Sequence, residues 1–448
     1  MAKKVARRLL IQGGRVIDPG QGIDGVGNLI IADGRVSWLA VGEDAPPEFD
    51  GDVLDATGWI VCPGFIDLHC HLREPGFEAK ETIATGTLAA ARGGFTTVCC
   101  MPNTDPPLDS ETTVEFVKRV AATDGVVRVL PIGCISDGRR GLEIANLEEM
   151  ADAGVIAFSD DGDPVMSASL MREALDWSRT LGLPIIEHCE DRSLSGSGHM
   201  NEGKLAVKLR LNGIPAEAEE HSIERNLALA RLTEGRLHIA HVSTRGSVEL
   251  IRRAKDKGVR VTAEVTPHHL TLTEEEVTGR NTNAKVNPPL RTKKDIKALI
   301  QGLKENVIDI IATDHAPHTE EDKSGDFALA PFGISGLETA LGSLMRLVHA
   351  GDLPLPLLVA KLTSAPAKII GEKFGQLGTL AEGVPADIAV FDPEREWVVN
   401  PATFASKGKN TPLAGLTLKG RVMATIYGGK MVYKDDSVSL VKRVKQHD

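Results

Sequence analysis

Eight short β-rich runs, separated by segments of helical character, occupy the middle of this 448-residue chain. They span 60–71, 94–103, 127–135, 155–161, 183–190, 236–244, 259–270 and 307–318. Helix-like stretches lie between them at 110–122, 169–181, 218–232, 247–256 and 293–305. Eight β-then-α units over roughly 250 residues meet the requirement of a closed (β/α)8 barrel. An open, doubly wound sheet is the alternative, but it usually needs fewer strands and often carries a glycine-rich phosphate loop. No run here is followed by Gly-x-Gly-x-x-Gly or a Walker sequence.

The two ends read differently. Short strands at 9–11, 15–17, 29–31 and 36–39 are broken by Gly13-Gly14, Asp18-Pro19-Gly20 and Asp33-Gly34. Toward the other end, candidate strands span 386–392, 422–427 and 430–433, the last two separated only by Gly428-Gly429, a two-residue hairpin signal. Neither end has enough strands for a core of its own. The expected fold class is therefore α/β: a (β/α)8 TIM-type barrel over 61–375, with one small β domain built from both chain ends, 1–60 and 376–448.

Composition narrows the function. Hydrophobic residues at 42% fill a sizeable core. Sixty-two acidic residues against 51 basic ones leave a charge of −11, which argues against nucleic acid or an anionic membrane as partner. It leaves open an anionic small molecule held in a local cationic pocket. The six cysteines (Cys62, Cys70, Cys99, Cys100, Cys134 and Cys189) form no Cys-x-x-Cys pair and no disulfide framework. The N-terminus is basic and then apolar, but the apolar run stops after three residues at Gln12, too short for a secretory h-region. No apolar run approaches the ~18 residues that span a bilayer. A soluble protein of the reducing cytoplasm is expected.

The chemistry sits at strand ends. A barrel builds its site at the C-terminal face of its strands, and there the first run ends in Asp67-Leu68-His69-Cys70-His71-Leu72-Arg73. Residues two apart in a strand share a side, so His69 and His71 aim together while Leu68, Cys70 and Leu72 face the helices. The fourth run ends in Ser159-Asp160-Asp161, the fifth in Glu187-His188-Cys189, the sixth in Ala240-His241-Val242 and the eighth in Thr313-Asp314-His315-Ala316-Pro317-His318. Each alone is weak, because a strand-end histidine often serves only structure. Together His69, His71, Asp161, His188, His241 and Asp314 can converge on one rim, which core packing does not require. Imidazole and carboxylate suit Zn²⁺ and related divalent ions, and the lack of a cysteine cluster argues against a closed structural zinc site. Six such groups suit two metals about 3.5–4 Å apart with a bridging hydroxide. His268 and His269, ending the seventh run, read either as structural residues or as supports behind the ligands, since the ligand set is already full. The polar, glycine-containing stretch 318–336 reads either as a segment that closes over substrate or as an exposed loop.

Two longer runs carry a resemblance. Gly64-Phe-Ile-Asp-Leu-His-Cys-His-Leu-Arg-Glu-Pro-Gly76 and Ala312-Thr-Asp-His-Ala-Pro-His318 resemble the dihydroorotases (class I type) of the amidohydrolase superfamily. So do Met101-Pro-Asn-Thr104, Glu187-His-Cys-Glu190, Ala240-His-Val-Ser243, Asn287-Pro-Pro-Leu290 and the return Gly383-Val-Pro-Ala-Asp-Ile-Ala-Val390. The resemblance implies two Zn²⁺ per subunit, or other divalent metals. His69 and His71 would hold the first metal and His188 and His241 the second, with Asp314 on the first as general base and acid. Some members bridge the metals with a carbamylated lysine, but residues 155–165 contain no lysine. An aspartate takes that place in the branch this chain resembles, and Asp161 is preferred to Asp160 here. Arg73, Asn103 and His318 match the family's carboxylate-binding set and Asn287 a contact to the pyrimidine ring. The implied substrates are carbamoyl aspartate and dihydroorotate, and the implied assembly is a homodimer, with aspartate transcarbamoylase as a possible partner. Two competing readings are a dihydropyrimidinase, hydantoinase or allantoinase, and a non-catalytic scaffold for aspartate transcarbamoylase. The missing lysine disfavours the first and the filled ligand positions the second.

Overall fold

A computed structural model describes residues 8–42 and 46–443, so the basic opening, 1–7, lies outside the described residues. β1 (Leu9–Asp18), β2 (Ile23–Ala32) and β3 (Arg35–Val41) form an antiparallel meander. β4 (Gly51–Asp55) and β5 (Ile60–Pro63) both run parallel to β1. Gly13-Gly14 does not break the chain into two strands as expected. The register of β1 against β2 shifts between Gln12 and Gly14, and Gly13 sits at φ 73°. Glycine takes that left-handed conformation without steric penalty, so a bulge interrupts one continuous strand.

The barrel follows. β6 (Phe65–Cys70), β7 (Phe95–Cys100) and β8 (Arg128–Pro131) are parallel neighbours. The fourth position is an extended segment joined to its neighbours by isolated parallel bridges, Gly133 to Phe158 and Phe158 to Ile185, and by the Ile156 amide donating to the Pro131 carbonyl at 3.0 Å. β9 (Ile185–Glu187) comes next, and the loop beyond it carries a minor pair, β10 (Met200–Asn201) and β11 (Gly213–Ile214). β12 (Leu237–Ile239), β13 (Val261–Val265) and β14 (Ile310–Ile311) continue the parallel ladder. A parallel bridge from His315 to Cys70 closes the ring onto β6.

Helices form where the sequence pattern placed them. The helix Arg245–Asp256 starts at Thr244, whose side chain accepts from the Ser247 amide, and it buries Val248, Ile251 and Ala254 on one stripe. The seventh strand is shorter than the β-rich run: it ends at Val265. Pro267–Thr271 then forms a one-turn helix, capped by Thr266, that carries His268 and His269.

Two apolar layers flank the barrel strands. Ile66, Leu68, Cys99, Met101, Ile132, Ile186 and Ala312 pack together in one cluster. Phe65, Cys70, Leu72, Phe95, Ile185 and Ile239 pack with the helices in another. Leu68 therefore does not face the helices as strict alternation required. The pairing of β6 with β7 shifts register between Asp67 and Cys70. That irregularity puts Leu68 with the inner cluster while leaving His69 and His71 together and Cys70 and Leu72 on the helix side.

The chain ends share one sheet. β15 (Ile388–Val398) pairs antiparallel with β5 and with β16 (Thr417–Tyr427), and β16 turns into β17 (Lys430–Lys434). The turn residues Gly428 and Gly429 both have positive φ, 54° and 75°, as the twist of a two-residue hairpin demands. β18 (Val441–Arg443) pairs with β4. Residues 399–416 leave this sheet, and Val399, Phe404 and Leu413 pack with Leu272, Phe327 and Ile334 beside the barrel. Among the described residues no helix is long and apolar enough to cross a membrane.

Buried carboxylates lock these parts together. Asp18, at the end of β1, accepts hydrogen bonds from the Gly20 amide (2.9 Å), the Gln21 side chain (2.7 Å), the Thr379 hydroxyl (2.9 Å) and the Leu380 amide (2.6 Å). Asp387 accepts from Arg128 of β8 and from the Gly428 amide, both at 2.8 Å. Truncating Asp18 strands several buried donors, each costing about 1–3 kcal/mol. Asp18→Ala is expected to destabilise the protein by roughly 2–4 kcal/mol, read as an earlier urea midpoint at unchanged slope. A midpoint equal to the parent's would refute the lock.

Candidate metal centre

The strand ends deliver four imidazoles and two carboxylates to one buried cluster. His69 and His71 leave β6, His188 follows β9, His241 follows β12 and Asp314 follows β14. Asp161 comes from the fourth, bridged segment. None of the six is more than 5% exposed. Asp161 joins two groups, His69–His71–Asp161 and Asp161–His188–His241, whose ligand atoms lie within 4.8 Å of one another in each group. Its Oδ1 lies 3.4 Å from His69 Nε2 and 3.8 Å from His241 Nε2, and its Oδ2 lies 3.6 Å from His71 Nε2. Asp314 Oδ1 stands 3.1 Å from His71 Nε2 and 3.5 Å from His69 Nε2. His188 Nδ1 is 2.9 Å from His241 Nε2.

The neighbouring aspartate points elsewhere. Asp160 accepts from the amides of Ile135 (2.9 Å) and Ser136 (3.1 Å) and from the Ser136 hydroxyl. Of the pair, only Asp161 reaches the histidines, because successive side chains of extended backbone diverge. Arg139 holds the turn from behind: its Nη2 donates to the carbonyls of Asp160 (3.3 Å) and Asp161 (2.5 Å) and to Asp163 (2.7 Å).

Other side chains orient the imidazoles. His69 Nδ1 donates to Glu264 Oε1 at 2.6 Å, which leaves Nε2 facing Asp161 and Asp314. Glu264 Oε2 also meets His238 Nε2 at 3.1 Å. His71 Nδ1 bonds Asn103 Oδ1 at 2.8 Å, and Asn103 Nδ2 donates to Asp161 Oδ2 at 3.4 Å. His188 Nε2 lies 3.3 Å from Glu190, which also accepts from Asn287 at 3.1 Å. Glu264 and Glu190 were missed in the sequence. For Glu264 the available signal was a carboxylate within a five-residue strand of otherwise apolar and threonine positions. Four residues here have left-handed backbone: Arg73 (φ 61°), Arg139 (φ 57°), His241 (φ 32°) and Asp314 (φ 46°). Such conformations cost about 1–3 kcal/mol each and persist where surrounding structure imposes them.

The electrostatics are those of a cation cage. Burial opposes ionisation of Asp161 and Asp314, yet the imidazoles of His69, His71 and His241 outweigh it and hold both carboxyls well below their ordinary range. Burial likewise opposes charge on His69, but Glu264, Asp161 and Asp314 lift its proton affinity well above the usual value. A divalent ion on the Nε2 side would satisfy the same carboxylates in place of that proton. The residues fit such an ion: His69 Nε2 is buried with no hydrogen-bond partner, and nitrogen and carboxylate donors converge on it. The thiols take no part. All six cysteines are free and buried, and burial raises the thiols of Cys70 and Cys189, which flank the ligands.

The other predicted residues lie beside this cluster. Arg73 is half-buried, its buried Nε has no hydrogen-bond partner, and burial lowers its pKa to about 10. Asp314 and Asp161 are the carboxylates that act on it most strongly. His318 Nε2 donates to the Phe332 carbonyl at 2.8 Å, and its buried Nδ1 has no hydrogen-bond partner but lies 3.6 Å from Asp322 Oδ2. Burial, with Arg73, Lys323 and Lys80 adding to it, lowers its pKa to about 3, so the ring is neutral. The stretch 318–336 is anchored rather than loose: Lys323 Nζ donates to the carbonyls of Thr282 (3.1 Å), Lys285 (3.3 Å) and Pro331 (2.7 Å). His269 is bonded on both nitrogens, to Thr266 (2.8 Å) and to the Pro288 carbonyl (2.9 Å), and so serves structure.

The chain is similar to known proteins over nearly its whole length. Residues 58–247 match the family model described as Dihydro-orotase-like. A protein named dihydroorotase from Thermoanaerobacter sp. (strain X514) is 52% identical over 96% of this chain and 98% of its own length. The dihydroorotase of Pelotomaculum thermopropionicum is 52% identical over 96% of this chain and 99% of its own. Among solved structures, the L-hydantoinase (dihydropyrimidinase) from Arthrobacter aurescens superposes with a TM-score of 0.85 at 26% identity, covering 97% of both chains.

Among the described residues only Asp161 belongs to both groups, so removing its charge should weaken metal binding. Elemental analysis after chelation and reconstitution is expected to find two divalent ions per parent chain and at most one in Asp161→Asn. Equal metal content in both proteins would show that Asp161 does not join the two pairs.

Proposed function

The chain belongs to the dihydroorotase family, and on that premise we propose that it catalyses the reversible ring closure of N-carbamoyl-L-aspartate to L-dihydroorotate, with loss of water, in pyrimidine biosynthesis. The observation that carries the reading is the single carboxylate of Asp161 set against two separate histidine pairs, with Asp314 beside one pair and the unpartnered Arg73 Nε near both acids.

His69 and His71 would hold one divalent ion and His188 and His241 a second, with Asp161 between them and Asp314 on the first. Zinc is the ion that this nitrogen-and-oxygen set suits best. When bound, such ions polarise a carbonyl and lower the pKa of water. In the hydrolytic direction water adds to the ring amide carbonyl. Asp314 takes its proton and delivers it to the departing ring nitrogen, and the same carboxyl works in reverse during ring closure. The orientation of Asp314 is imposed by its left-handed backbone and by the contact with His71. Arg73 grips the substrate carboxylate through its planar guanidinium. Asn103 and His318 complete that pocket, and Asn287 faces the ring from the Glu190 side. The same proposal includes a homodimer in a reducing, cytoplasmic compartment and an association with aspartate transcarbamoylase, both read by sedimentation of the chain alone and mixed with that enzyme.

The hydantoinase reading is separated by substrate. Dihydroorotate should be turned over, and dihydrouracil, hydantoin and allantoin, which lack its carboxylate, should not. Preferred turnover of those three would overturn the proposal. Asp314→Asn is expected to lower kcat by at least ~10²–10⁴ with metal content and folding intact. An active, metal-replete variant refutes Asp314 as proton carrier. Arg73→Ala is expected to raise KM for dihydroorotate by roughly 10–100-fold, the loss of one charge-assisted contact. An unchanged KM removes Arg73 from the pocket.

A further inference from the structure

Asn410 lies in the segment 405–411, which passes from the terminal β sheet across the outside of the barrel mouth. It is only 3% exposed, and every polar position of its side chain is used. Its Nδ2 donates to the carbonyls of Ala316 and Gly333, both at 3.0 Å. Its Oδ1 accepts from the His318 amide at 2.9 Å and from the Ser335 hydroxyl at 2.8 Å. Its own carbonyl accepts from the Ser335 amide at 2.8 Å. One carboxamide therefore ties the chain on both sides of the 318–336 loop: the exit from β14 at Ala316 and His318, and the return at Gly333 and Ser335.

The rest of the segment presses on the same place. A Cβ on Gly408 would sit 2.4 Å from Pro317 Cβ and 2.7 Å from Ser335 Oγ, so only glycine lets the segment pass this close. Ser406 donates to Glu81, and Glu81 Oε2 meets His315 Nε2 at 3.3 Å. His315, the residue after Asp314, and His318, four beyond Asp314, are thus both tied to this segment, by Ser406 and Asn410 respectively, 91 and 92 positions away.

We propose that Asn410 is a positioning residue: it sets the backbone at His318, and with it the imidazole that contacts the substrate carboxylate. Asparagine suits the task because it offers two donors and two acceptor lone pairs in one plane. Aspartate lacks both donors and would face two carbonyls with a charge. The inference rests on the reading of His318 as a substrate contact, and the test separates the two.

The experiment compares Asn410→Ala, Asn410→Asp, His318→Ala and the double variant Asn410→Ala/His318→Ala in steady-state turnover of dihydroorotate by the metal-loaded enzyme. Lys409→Met serves as control, since Lys409 Nζ bonds only Phe404 and Ser406 carbonyls within the same segment. Loss of Asn410's side chain is expected to raise KM about ten-fold with kcat within about three-fold and metal content unchanged. On the His318→Ala background the same substitution should add less than about two-fold. Lys409→Met should lower the melting temperature and leave KM at the parent value. If His318→Ala raises KM but Asn410→Ala and Asn410→Asp do not, the positioning role is wrong and the substrate contact stands. If His318→Ala leaves KM unchanged, the contact itself is wrong and the role falls with it. An equal KM increase on both backgrounds, or in Lys409→Met, overturns the inference in favour of general support of the mouth.

Discussion

Two ionised carboxylates buried among four imidazoles dictate much of what surrounds them. An unpaired buried charge costs several kcal/mol, so each must find partners with good geometry. Asp161 and Asp314 find them in His69, His71 and His241, and His69 in turn requires Glu264. The requirement spreads outward. Glu264 draws in His238, Asn103 ties His71 to Asp161, and Arg139 pins the turn that carries Asp161. What would be a destabilising concentration of charge is also what a divalent cation needs, so the cluster is organised for a ligand rather than for the fold.

The barrel supplies convergence, and departures from its regularity supply aim. A closed ring of parallel strands brings residues from 69 to 314 to one face. Strict alternation would still send some of them the wrong way. The register shift in β6 puts His69 and His71 at the mouth while Leu68 packs inside. Left-handed backbone at His241 and Asp314 does the same for strands six and eight. The fourth segment, joined through isolated bridges at Phe158, lets Asp160 and Asp161 take opposite duties.

The sheet built from the chain ends takes part in the site as well as in stability. Its strands are locked to each other by Asp18 and to the barrel by Asp387 with Arg128. The excursion between β15 and β16 reaches the mouth, where Ser406 and Asn410 fix the segment that follows Asp314.

Much of this was legible in the chain itself. Eight β-then-α units, the strand-end histidines and aspartates, and the Gly428-Gly429 hairpin are local patterns, set by side-chain periodicity and glycine's access to positive φ. The helix-like stretches 247–256 and 293–305 form as the helices Arg245–Asp256 and Lys293–Lys304. Gly13-Gly14 was misleading because a bulge and a chain break have the same local sequence. Leu68 was misleading because alternation fails wherever register slips, and the slip depends on how β6 meets β7. The choice between Asp160 and Asp161, the pairing of Glu264 with His69, and the grip of Asn410 on His318 needed the tertiary structure. Each joins residues from about 24 to 195 positions apart, and a contact across that distance is decided by the closure of the whole ring.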